Sequence, residues 1–210
     1  MEKIVFVDIP MYKREPLNYF NTGNVKSSLD KEILYPINAI LSEMIEEHDK
    51  LKVVLLKTVT GKKELDSQTK TNARIFEDEL DEILRGKNVC VDYVHLASAF
   101  DESKENHEIR FRNMLSHLGE NCELYADITF GPKLIPMMIF FVFNFAERFF
   151  NCHIREIVYG KALHNVQTNE AHSGELYDVS PLYHLNNLTN SMEAASGKEA
   201  IQALDMFFSL

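Results

Sequence analysis

Short runs of Val, Ile and Leu alternate along this chain with segments whose apolar residues recur every three to four positions, and that alternation constrains the fold most. Strands are expected at residues 3–8, 51–58, 89–96, 123–128, 153–159 and 175–179. Helices are expected at 31–47, 72–85, 104–118, 134–150, 181–194 and in a last segment ending near Phe207. Residues 61–72, GKKELDSQTKTN, read as a polar loop, and Ser196 with Glu199 reads as a capping box that starts the last helix. Apolar runs without polar alternation suit strands covered on both faces, and a βαβα order places such strands in a parallel sheet. The expected class is therefore α/β: a parallel sheet with helices on both faces, followed by C-terminal helices. A length of 210 residues fits one main domain. It is placed at 1–180, with 181–210 as a helical extension packed on it.

Composition narrows the function. With 45% hydrophobic and 26% charged residues the chain can build a packed core, which excludes disordered and fibrous classes. A net charge of -10 argues against broad binding of duplex nucleic acid, whose affinity comes from many Lys and Arg neutralising phosphates. A local basic pocket for one small anion remains open. The most apolar stretch, 134–150, is interrupted by Pro136, Asn144, Glu147 and Arg148 and reads as a buried helix rather than a membrane span. The first residues enter a strand without a leader pattern, so a cytoplasmic location is expected.

Cys90, Cys122 and Cys152 are odd in number and scattered, and read as reduced core thiols. His164, His172 and His184 lack ligand spacing such as HExxH and read as surface histidines, so neither a metal nor a cofactor is expected. No GxxxxGK[ST], GxGxxG or GxSxG motif is present. The pairs Arg112/His117 and Arg148/His153 have the Arg-x4-His spacing of one ribonuclease class, but they lie inside the α/β series and read as coincidence.

Open parallel sheets bind ligands beyond the carboxyl ends of their strands, which selects the loops that matter. The most informative is Asp127, Ile128, Thr129, Phe130, Gly131, Pro132 and Lys133. Here a strand ends in an acid and a hydroxyl, passes through Gly and enters a helix whose first turn is expected to hold Pro132 and Lys133. Thr129, the free N–H groups of the helix and Lys133 suit a phosphate. The competing reading is a plain tight turn with a solvated lysine. After the first strand, Ile9, Pro10 and Met11 begin a second candidate loop that continues to Thr22, Gly23 and Asn24.

The order ELYADITFGPKLIPMMIFFVFNFAERFF, then IREIVYGK, then YDVSPLYHLNNLTNSMEAASGKEAIQAL resembles the CARF (CRISPR-associated Rossmann fold) domains of type III CRISPR ancillary proteins. Their usual pattern is Asp-[IL]-Thr-His-Gly-x-[RK]-x-x-Pro before an apolar helix, then a strand ending in Tyr-Tyr-Gly. Asp127, Thr129, Gly131, Lys133 and Pro136 match it, as does Val158-Tyr159-Gly160 in part, while Phe130 stands where His is common. The resemblance implies a Rossmann-like homodimer that binds one cyclic oligoadenylate, with cyclic tetra-adenylate the first candidate. The ring would be held by Ile9, Pro10, Met11, Thr22, Gly23, Asn24 and the 127–133 loop. It would switch an effector domain or partner protein absent from this chain. An alternative within the resemblance is a metal-independent ring nuclease, in which Thr22, Asn24 and Lys133 orient a ribose 2′-hydroxyl and stabilise charge. A third reading is an interaction module built on 181–210.

Overall fold

The computed structural model describes residues 2–22, 25 and 27–208. Its elements in chain order are β1 (Glu2–Asp8), β2 (Tyr19–Thr22), α1 (Ile37–Met44), β3 (Lys50–Val59), α2 (Lys63–Ile83), β4 (Cys90–Ala99), α3 (Lys104–Leu115), β5 (Glu123–Asp127), α4 (Ile135–Phe149), β6 (His153–His164), β7 (Ala171–Asp178), α5 (Ser180–Ser191) and α6 (Gly197–Phe208). The strands form one sheet in the order β2-β7-β6-β5-β1-β3-β4. Its five strands from β6 to β4 are mutually parallel, as a Rossmann-like α/β sheet requires. Strand order reverses between β1 and β5, where the carboxyl ends of the two strands carry the buried acids Asp8 and Asp127.

β1 shows why both faces are covered. Val5, Val7 and Ile9 point into a core shared with Ile37, Ile40 and Leu41 of α1 and with Ala73, Phe76 and Leu80 of α2. Phe6 points the other way, with its ring 6.0 Å from that of Phe143 in α4. All of these side chains are buried, so a period-two strand reads as a continuous apolar run.

Several expected boundaries move. The helix expected over 31–47 is confined to α1, because Pro36 drives Tyr35 out of helical geometry; Leu17 and Ile33 instead form an antiparallel bridge ahead of it. The expected loop 61–72 is mostly helix, since α2 starts at Lys63. Its start is fixed by the Asp66 carboxylate, which accepts the Thr60 N–H at 2.8 Å and the Thr60 hydroxyl at 2.9 Å. The buried stripe of α2 begins with the polar Thr69 and Asn72, which hide its period from an apolar count. Pro132 precedes α4 rather than entering its first turn, where Pro136 stands instead. The last strand is antiparallel to β6, and β2, unexpected from the sequence, pairs parallel to β7 at the sheet edge. Cys90 is exposed rather than a core thiol, while Cys122 and Cys152 are buried.

The chain divides into two compact units, Met1–Ser180 and Pro181–Leu210. The second is helical, and the Ser196 hydroxyl accepts the Glu199 N–H at 3.3 Å at the start of α6. No helix among the described residues is long and apolar enough to cross a membrane.

Candidate functional site

The switch point is framed by a hydrogen-bonded chain centred on Asp127. Its carboxylate accepts the Ile37 N–H at 3.1 Å, from the first residue of α1, and the Thr129 N–H at 2.9 Å. The Thr129 hydroxyl also bonds to it, while Thr129 Oγ1 accepts the Gly160 N–H at 2.8 Å. The end of β5, the start of α1 and the second half of β6 are thus locked together. Asp127 is fully buried, and burial raises its carboxyl to about 6 against the pull of the three donors.

Beside it on β1 lies a second acid. Asp8 is also fully buried, and neither of its oxygens has a donor at bonding geometry among the described residues. The adjacent Ile9 N–H donates to Leu56 O instead, at 3.0 Å. Burial, and then the Asp127 charge, push the Asp8 carboxyl well above the usual range, and the nearby Arg110 of α3 opposes them without offsetting them. Gly131 closes over this carboxyl: it has a φ of +84°, and a Cβ built there would lie 1.9 Å from Asp8 Oδ2. Only glycine fits both the conformation and the contact.

Beside this frame a cavity of about 730 Å³ opens over β6 and β7, with a lining that includes Lys13, Arg14, Glu15, Tyr19, Thr129, Phe130, Tyr159, Gly160, Lys161 and Glu170. Phe130 is fixed from behind by Tyr35, with ring centroids 5.7 Å apart. Gly160 admits the Tyr19 ring and Pro36, whose atoms would lie 2.8 and 2.3 Å from a Cβ there. Lys13 pairs with Glu15 and Lys161 with Glu175. Arg14 is exposed, and no ion pair of its side chain occurs among the described residues. Cationic heads, two of them paired with glutamates, and aromatic faces share one opening; Arg14 and the rings of Tyr19, Phe130 and Tyr159 are the groups that suit an anion carrying flat rings. The other large hollow, between α3 and α4, is apolar and offers no such convergence.

The expected site residues divide accordingly. Thr129 and Phe130 line the cavity. Asp127 and Ile9 are fully buried and serve as frame; buried Pro10 gives its carbonyl to the Asn72 amide at 2.7 Å, and Met11 is half-buried. Gly131 seats the turn, Pro132 is half-buried, and Lys133 is exposed without an ion pair among the described residues. Thr22 ends β2, three strands from Asp127 in the sheet, about 14 Å away at the usual strand spacing. Gly23 and Asn24 lie outside the described residues.

Lys13, Arg14, Tyr19 and Lys161 were not signalled by any motif. Asp8 was legible only as the last residue of the first strand. No group of three or more His, Cys, Asp or Glu side chains arranged to hold a metal occurs among the described residues. Compared with known proteins, the chain matches no family model and no curated protein.

Proposed function

We propose that this chain is a cyclic oligoadenylate sensor of type III CRISPR antiviral signalling, which binds the ring, cyclic tetra-adenylate first, at a homodimer interface and switches an effector. The observation that carries the reading is the cavity over β6 and β7. There the Thr129–Phe130 turn of the CARF-like segment meets Lys13, Arg14 and Lys161 together with the rings of Tyr19 and Tyr159. Cations answer the phosphates, and aromatic faces answer the adenines.

The test is incubation with cyclic tetra- and hexa-adenylate, followed by gel filtration and analysis of the nucleotide. An intact ring that co-elutes with a dimer supports the sensor. Linear products support the ring nuclease instead. Failure of the folded protein to bind either ring overturns both.

A further inference from the structure

Cys122 ends the turn before β5 and Cys152 the turn before β6. The two strands are neighbours in register, Glu123 opposite His153, and the His153 N–H donates to Cys122 O at 2.9 Å. The backbone thereby holds the two cysteines side by side. Their Sγ atoms lie 3.1 Å apart. Both thiols also converge on one acceptor, the Gly119 carbonyl, at 3.2 Å from Cys122 and 3.3 Å from Cys152. A disulfide bond is about 2.05 Å long, so bonding needs a combined approach of about 1 Å. The amino ends of β5 and β6 are the opposite end of the sheet from the Asp127 frame, so this pair is independent of the ligand reading.

Buried cysteines are usually inert. This pair differs in having a resolving thiol already in contact, the arrangement that directs oxidation to a disulfide. Cys122 has no exposed surface and Cys152 keeps 3%. Burial, and then the contact with Cys152, push the Cys122 thiol up to about 12. Cys152 is the one of the pair with surface open to peroxide, so attack starts there and Cys122 resolves it.

We propose that Cys122 and Cys152 form a peroxide-responsive dithiol site that closes to a reversible disulfide. The Cys152 sulfur attacks one oxygen of hydrogen peroxide; the O–O bond breaks, and the departing hydroxide takes the thiol proton and leaves as water. The resulting sulfenic acid is attacked by the Cys122 sulfur. An S–S bond forms, the S–O bond breaks, and the hydroxide leaves with the Cys122 proton as a second water. The thiols lose two electrons, and peroxide is reduced to two waters.

The reduced full chain is treated with graded hydrogen peroxide, quenched, unfolded in the presence of an alkylating agent and digested without reductant. The expected result is a peptide linking Cys122 to Cys152, lighter than the sum of its thiol forms by two hydrogens, at doses that oxidise exposed Cys90. The bond spans 30 positions, so the melting temperature is expected to rise by about 5–10 °C and to fall back with dithiothreitol. Cys152→Ser removes both changes. The proposal is overturned if both thiols remain alkylatable after a dose that converts Cys90, if each proceeds to sulfinic acid unlinked, or if the link forms only in unfolded protein.

Discussion

Gly131 and Asp8 occupy one tight contact, with the α-carbon of the first resting against the carboxyl of the second so closely that a Cβ would lie 1.9 Å from Oδ2. Gly131→Ala is therefore expected to destabilise the protein by about 2–4 kcal/mol, from overpacking and from the positive φ. In an Asp8→Ala background the carboxyl is gone, and the same change is expected to cost only about 1 kcal/mol, its conformational part. Urea denaturation of the double-mutant cycle measures this, and strictly additive costs would sink it.

The raised carboxyl of Asp127 makes stability depend on pH with a definite sign. Between its ordinary value of 3.8 and about 6, the folded protein keeps a proton that the unfolded chain releases. The stabilisation is complete below about pH 4 and is lost as pH rises through 6, about 3 kcal/mol in all. Asp8, raised as well, acts in the same direction. Asp127→Asn is expected to flatten the decline over that window in urea titrations. Parallel curves for the two proteins would contradict the assignment.

Charge removal tests Arg14 of the cavity lining and Lys133 of the turn that follows Phe130. Arg14→Ala and Lys133→Ala are each expected to weaken cyclic tetra-adenylate binding about tenfold. Each should also reduce the salt slope by about 0.7, as for one phosphate contact on a single strand. Calorimetry at two salt concentrations reads both quantities. Unchanged affinity for either variant removes that residue from the site.

Glu79 of α2 supports the approach to α1. Its carboxylate accepts the Leu34 N–H at 2.7 Å, the Tyr35 N–H at 3.3 Å and the Asn38 amide at 2.7 Å. Glu79→Ala leaves these donors without their acceptor and is expected to cost about 3 kcal/mol, with Glu79→Gln costing less. Hydrogen exchange should show the Leu34 and Tyr35 amides losing protection first; full protection in the alanine variant would refute this.

What the sequence revealed depended on whether burial was apolar and local. β1, β3 and β5 were legible because their apolar runs are what a two-sided sheet demands. The first half of α2 was not, because Thr69 and Asn72 bury polar side chains that bond to backbone: Thr69 to Leu65 O, and Asn72 to Pro10 O and Tyr12 O. β2 has four residues, none of them buried, which gives no periodic signal, and its place is set by pairing with β7. In the site, glycine and acid at 131 and 127 marked the turn. Lys13, Arg14 and Tyr19 reach it from a segment whose course across the sheet no local pattern encodes.

Residues 9–18 carry the chain from β1 to β2 at the sheet edge, four strands away. That span is about 19 Å at the usual spacing, whereas ten extended residues reach roughly 33 Å. The surplus length is not loose along the whole passage: the Asn72 amide holds the Pro10 and Tyr12 carbonyls, and Leu17 bridges Ile33. The exposed residues 13–16 bow outward between these two pins, so Lys13 and Arg14 are presented over the sheet at a fixed place while β2 stays paired with β7.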